Sequence, residues 1–75
     1  MLFIKIEDKV KAYREQGFEH GDRVIALLNN GEVKHGTLFF VEEYSTLFEV
    51  PLVIEDITGK SVDLYNALIC KVNTK

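Results

Sequence analysis

Cysteine is almost absent from this sequence, since Cys70 is the only one and no disulfide can form within the chain. No Cys-x-x-Cys spacing is present, so the usual pattern of a structural zinc site is missing. A chain of 75 residues buries a smaller fraction of its surface than a larger domain does, and it often depends on a disulfide, a metal or a partner chain for stability. We therefore expect a well-packed core or a homo-oligomer, with no cofactor and no metal.

Long hydrophobic runs are also absent. No run approaches the roughly 20 apolar residues that span a membrane, so we expect no membrane association. The apolar start, residues 1–6, is too short for the core of a signal peptide, and no small-residue cleavage site follows it. A lone thiol suits a reducing compartment. These features predict a cytoplasmic protein.

Positive charge is scarce. Nine basic residues stand against twelve acidic ones, which gives a net charge of −3. Residues 42–75 carry the whole acidic excess, whereas binding to a phosphate backbone depends on clustered Lys and Arg. RNA is therefore a possible partner that the charge disfavours. The local basic residues near the N-terminus alternate with acidic ones, which indicates a solvated face; the alternative is a modest surface for an anionic ligand.

The first regular element is predicted to be a helix over residues 7–16, which are rich in helix-forming residues. Its two first residues are acidic and would suit the helix dipole. Helical spacing gives one apolar face, made of Ile6, Val10 and Tyr13. Gly17 is placed to end the helix in the left-handed conformation, and Phe18 would then fold back on Tyr13.

The remainder predicts short strands joined by tight turns. The five predicted strands are residues 23–28, 33–41, 46–50, 61–65 and 68–72. Residues 52–54 would continue the third strand beyond Pro51. The first is apolar enough to be buried on both faces. Asn30-Gly31 indicates a hairpin turn, and Gly36 indicates a bend or bulge in the second strand.

These elements predict a mainly β fold, a short N-terminal helix followed by a bent five-strand antiparallel barrel. The alternative is an open antiparallel sheet with the helix packed on one face. We divide the single domain into a helix and lead-in (residues 1–20), a small barrel (21–72) and a tail (73–75).

Residues 21–72 resemble the Sm-like small-barrel proteins, a group within the wider SH3-like barrel architecture. The likeness is carried by the strand 24–28, by Asn30-Gly31, by Gly36-Thr37-Leu38 and by the segment 39–48. It implies a ring assembled by pairing of edge strands, and RNA binding. The chain departs from the family where a nucleobase would bind. Glu42 and Thr46 stand at the Asp and Asn positions, and Tyr65-Asn66 at the Arg-Gly pair.

Residues with catalytic or metal-binding chemistry are present but not suitably arranged. His20, His35, Asp22 and Cys70 have no metal-ligand spacing, and Cys70 lies in an apolar strand that favours an inert thiol. The neighbouring carboxylates Glu42-Glu43 and Glu55-Asp56 fall in predicted turns, where they would be solvated. We therefore expect no enzyme activity and no catalytic residue.

Aromatic residues are the remaining functional candidates. Phe39 and Phe40 are adjacent in a strand and must face opposite sides; one fills the interior and the other faces the helix, a partner or solvent. The candidate binding residues are Phe40, Tyr44, Phe48 and Tyr65. With the exposed strand edges, they predict a non-catalytic interaction module that self-associates and binds another protein. The alternative is an Sm-like RNA-binding protein that uses Tyr44, Tyr65 and the lysines of the helix.

Overall fold

A computed structural model describes residues 3–42 and 49–72. Over these ranges, the helix α1 (Val10–Glu15) precedes the strands β1 (Arg23–Leu27), β2 (Val33–Glu42), β3 (Glu49–Glu55) and β4 (Leu68–Lys71). The strands form one antiparallel sheet in the order β3-β2-β1-β4. The fold is therefore mainly β, and the sheet is open, since β3 and β4 do not pair within the described residues. No helix in these ranges is long and apolar enough to cross a membrane.

The C-terminal end of α1 is confirmed as predicted. Gly17 has a φ of +87°. Its N–H donates to the Arg14 carbonyl at 3.0 Å, and the Phe18 N–H donates to the Tyr13 carbonyl at 3.0 Å. These two bonds are the Schellman pattern. The Phe18 ring packs edge-on against Tyr13 with 5.7 Å between centroids.

The start of α1 was predicted three residues too early. Lys9 is the N-cap residue, with the extended angles φ −143° and ψ 138°, so Glu7 and Asp8 precede the helix and do not lie in its first turn. No side chain caps the first turn. Acidic composition alone therefore did not fix the first helical residue, because tertiary packing of Val10 and Tyr13 decides which turns form.

The core lies between α1 and one face of the sheet, which we call the inner face. Val10, Tyr13 and Phe18 pack there against alternate strand residues, which are Val24, Ala26, Leu38, Phe40, Val53 and Ile69. Leu38, Val53 and Ala26 have no exposed surface at all. This arrangement matches the period of two that places every second strand residue on one face.

Three predicted strands agree with the structure to within one residue at each end, and they became β1, β2 and β4. The third predicted strand continues through Pro51 without a break to form β3; residues 46–48 lie outside the described ranges. The fourth predicted strand is reduced to one bridge, between Ser61 and Ile54. It ends because Asp63 accepts a bond from the Tyr65 N–H at 3.0 Å and Asn66 turns to a φ of +56°.

The hairpin at Asn30-Gly31 is present, but its loop has three residues and is not the two-residue turn that the Asn-Gly pair favours. Leu28 and Glu32 close the loop through the Leu28 N–H and the Glu32 carbonyl at 2.8 Å. Gly31 takes a φ of +89°, whereas Asn66 is the only described non-glycine residue with a positive φ. Asn30 therefore does not have the left-handed conformation of a type I′ turn; its side chain instead accepts from the Glu32 N–H at 2.9 Å.

Gly36 allows β2 and β3 to approach closely. A Cβ atom built on it would lie 2.8 Å from Cγ1 of Val53 and would overlap the backbone carbonyl of Ile54. The β2–β3 register runs without a bulge from Gly36 opposite Glu55 to Glu42 opposite Glu49. Close backbone approach is therefore the reason for this glycine.

Candidate functional site

Of the four predicted binding residues, the structure describes two, Phe40 and Tyr65. Phe40 is only 7% exposed and belongs to the core. Its ring lies 6.4 Å from Tyr13, and the Arg14 guanidinium carbon lies 5.1 Å above it. Tyr65 is 76% exposed in the turn before β4. Tyr44 and Phe48 lie outside the described residues.

The adjacent residue, Phe39, points away from the core and is half-buried. Its side of the sheet is called the outer face. In the β2–β3 register, Phe39 is opposite Leu52, Val41 is opposite Val50, and Thr37 is opposite Ile54. These residues alternate with the buried residues of the core, so they share the outer face. We call Phe39, Val41, Val50, Leu52 and Ile54 the β2–β3 patch.

A second apolar area lies at the other end of the outer face. Ile25 is opposite Cys70, and Leu27 is opposite both Val33 and Leu68. We call these five residues the β1–β4 patch. Ile25 and Cys70 are 8% and 3% exposed although they are not in the core cluster, whereas Val33 is 51% exposed. The prediction that the first strand is apolar on both faces agrees with this placement.

An ion pair separates the two patches. The Arg23 guanidinium donates to Asp56 Oδ2, and Thr37 Oγ1 donates to Asp56 Oδ1 at 3.5 Å. Arg23 is opposite Thr37 in the register, and the Asp56 N–H donates to the His35 carbonyl at 2.9 Å. The pair therefore crosses β2 near the middle of the outer face. The Arg23 side chain is 56% exposed and that of Asp56 is 31% exposed.

Both edges of the sheet are partly occupied by the chain itself. On the β4 edge, Ile4 exchanges two backbone bonds with Ile69, at 2.9 and 2.7 Å. On the β3 edge, the Val62 N–H donates to the Val53 carbonyl at 2.8 Å and the Glu55 N–H to the Lys60 carbonyl at 2.8 Å. These bonds leave little of either edge for a further strand.

Pro51 limits the rest of the β3 edge. Val53 and Glu55 direct their backbone groups outward, away from β2. Polar backbone groups alternate in direction along a strand. The backbone nitrogen of Pro51 therefore also points away from β2, toward the free edge of the sheet, and it has no N–H to donate there. A proline at an edge is a known protection against strand addition.

His20 extends the hydrogen-bond ladder of β2 beyond the end of β1. Its Nδ1 accepts from the Phe40 N–H at 2.9 Å, and its ring lies 5.4 Å from the ring of Phe39. This bond requires Nδ1 to carry no proton. No sequence pattern indicated the contact, because it joins residues twenty positions apart. Over residues 3–42 and 49–72, no group of three or more His, Cys, Asp or Glu side chains is placed to hold a metal ion.

Among the residues that the structure describes, two titratable groups have shifted pKa values, and both shifts have structural causes. Burial, followed by the negative charge of Asp8, raises the pKa of Tyr13 to about 12. The hydrogen bond that the Lys34 ammonium donates to Glu32, and then the negative charge of Glu55, raise the pKa of Lys34. Lys34 lies 3.3 Å from Glu32 and 3.6 Å from Glu55.

Two of the basic residues around α1 are engaged with acidic groups. Lys9 lies 3.3 Å from Glu7, and Arg14 lies 3.8 Å from Glu49 while its guanidinium also covers Phe40. Exposed pairs of this kind contribute only about 0–1 kcal/mol each. They do, however, reduce the positive charge that this side presents to an anionic ligand.

Comparisons with protein-family models, with curated proteins and with solved structures gave no match for this chain. The geometry of the sheet is therefore the basis for assigning a function. Its outer face places apolar side chains around one ion pair. The signal was present in the sequence, since Phe39-Phe40-Val41 and residues 50–54 are continuously apolar where a one-sided sheet would alternate.

Proposed function

We propose that this chain is a non-catalytic interaction module that self-associates and binds another protein, with the outer face of the sheet as the surface for self-association. The outer face itself carries the proposal. An antiparallel sheet with one face on a core usually presents polar residues on the other face. Here the β2–β3 patch and the β1–β4 patch place ten apolar or sulfur-containing side chains there.

Docking through the face is better supported than docking through the strand edges. Ile4 occupies part of the β4 edge, and Ser61 and Val62 occupy part of the β3 edge. Pro51 removes a donor from the remaining stretch of β3. An added strand would need a row of unpaired donors and acceptors, whereas the face needs only complementary shape.

The proposed architecture is a small Sm-like barrel. The bridge between Ser61 and Ile54 lies beyond β3, on the side where a five-strand bent sheet would have its next strand, and this supports the proposal. The close approach at Gly36 gives a point at which β2 and β3 can curve together. Asn66 has a positive φ at the position where the family resemblance places a glycine, which is consistent with a conserved backbone shape despite the different residue.

RNA binding is the second candidate, and the exposure of Tyr65 is the observation that favours it, because exposed aromatic rings can stack on bases. The ion pairs of Lys9 and Arg14 weaken the case. Titration of the protein with fluorescent oligouridine at low salt separates the two functions. Binding that falls with added salt and is lost in Tyr65→Ala would support RNA recognition, and no binding would eliminate it.

Self-association is tested by light scattering with size-exclusion chromatography on the wild-type chain and on Phe39→Glu. Phe39 lies in the β2–β3 patch, so a charge there should reduce the oligomer to a monomer. Ile57→Glu is the matched control, because Ile57 is 89% exposed in the turn after β3. The control should keep the wild-type mass, and circular dichroism should show that both variants are folded. A wild-type chain that is monomeric at every concentration would contradict the proposal.

A further inference from the structure

We propose that two copies of this chain pack outer face against outer face about a two-fold axis, with Arg23 of each copy paired to Asp56 of the other. This inference rests on the proposed self-association and specifies its surface, its partner and its symmetry. The occupant of the face is thus a second copy of the same chain. Three features of the described residues carry the inference: the position of the ion pair, the exposure of its members and the size of the face.

The position of the ion pair makes the face complementary to itself. Arg23 and Asp56 lie side by side near the middle, with the β2–β3 patch at one end and the β1–β4 patch at the other. The two-fold axis would lie in the plane between the two faces, perpendicular to the line that joins Arg23 to Asp56. Rotation about this axis brings Arg23 of each copy over Asp56 of the other copy. In such an interface the contact from residue i to residue j is repeated from j to i.

Arg23 and Asp56 can each form further hydrogen bonds with a second copy of the chain. A guanidinium has five N–H donors and a carboxylate accepts several bonds. Among the described residues, the guanidinium of Arg23 donates only to Asp56, and its side chain remains 56% exposed. Burial in the interface would leave these donors without water, so reciprocal pairing with Asp56 of the second copy satisfies them.

The size of the face favours a second sheet over a narrower ligand. At about 3.3 Å per residue and about 4.8 Å between strands, the four strands present a flat area of about 400 Å². The projecting side chains make the accessible area of the face larger than this flat area. Even small specific interfaces bury about 600 Å² of accessible area per partner. A stable contact therefore uses the whole face, whereas one extended peptide would contact only part of it. Sheets pack face to face with their strands within about 30° of each other.

The test uses two single charge reversals, Arg23→Asp and Asp56→Arg, in the full chain. Arg23→Asp places only negative charge at the centre of both faces, and Asp56→Arg places only positive charge there. Each variant alone should sediment as a monomer at concentrations where the wild type is a dimer. An equimolar mixture should form a dimer of twice the mass, because each negative centre then meets a positive centre. Circular dichroism should show that each variant is folded.

Lys71→Glu is the matched control. Lys71 forms a partly exposed pair with Asp22 at 3.3 Å but is opposite Val24, a residue of the inner face. Its reversal should leave the dimer intact. The double variant Arg23→Asp with Asp56→Arg should also dimerise, since it preserves every pair with its sign reversed; this keeps the test valid where one single variant folds poorly.

The outcomes separate this inference from the proposed function. A wild-type dimer whose single reversals remain dimeric would overturn the face-to-face arrangement and leave self-association standing. Single reversals that stay monomeric after mixing would also overturn the reciprocal pairs. A wild-type chain that is monomeric throughout the concentration series would overturn both proposals.

Discussion

Replacing Gly36 with alanine tests the close approach of β2 and β3. The added Cβ would lie 2.8 Å from Cγ1 of Val53 and overlap the Ile54 carbonyl. The carbonyl belongs to the backbone and cannot rotate away, so the two strands must separate. Overpacking of a tight site costs about 1–3 kcal/mol. A glycine-to-alanine change without strain would instead stabilise the protein by about 0.4–1 kcal/mol, through the unfolded chain.

The expected net effect is a loss of about 1–2 kcal/mol in the free energy of unfolding. Urea unfolding followed by circular dichroism measures it from the shift in midpoint, at one protein concentration because association also stabilises the folded state. Gly31→Ala is the control for backbone conformation alone, since its φ is +89° and no atom lies within 4 Å of the added Cβ. A Gly36→Ala chain as stable as the wild type would refute the steric explanation.

Two further predictions concern Tyr13 and Asn66. Tyr13 keeps its proton more tightly when folded, with a pKa of about 12 against an ordinary value of 10.0. The contribution of Tyr13 to the free energy of unfolding is therefore fully present below pH 10, and it falls by up to about 3 kcal/mol as the pH rises to 12. Relative to Tyr13→Phe, the wild type should therefore lose up to about 3 kcal/mol in the free energy of unfolding over that interval, measured from urea midpoints, and parallel curves would exclude this cause. Asn66 has a φ of +56°, so Asn66→Ala should destabilise the fold by about 1 kcal/mol while Asn66→Gly should not; equal thermal midpoints for the two variants would contradict this.

The parts of the fold that the sequence predicted are those governed by neighbouring residues. Gly17 and Phe18 determine the end of α1 together with Tyr13, all within one helical turn and its extension. The β1–β2 hairpin likewise depends on a loop whose residues are adjacent in the chain. In both cases the decisive hydrogen bonds join residues five or fewer positions apart, so composition and spacing contain the necessary information.

The parts that could not be predicted depend on residues far apart in the chain. Phe39 and Phe40 have the same side-chain type, and only packing of Tyr13 against Phe40 decides which ring enters the core. Arg23 and Asp56 are 33 positions apart, so no local pattern could place their ion pair on the outer face. The short bridge at Ser61 replaced a predicted strand because the turn that follows it competes for the backbone groups.

Pro51 has a consequence for how large an assembly of this protein can become. Growth by adding strands has no natural end, because each new strand exposes another edge, and this is how fibrils lengthen. The missing N–H donor of Pro51, on the edge of β3 that points away from β2, interrupts growth by strand addition at its first step. Contact between two identical faces, by comparison, is complete when two molecules have met. In the proposed self-association through the outer face, this one imino acid therefore favours a complex of finite size.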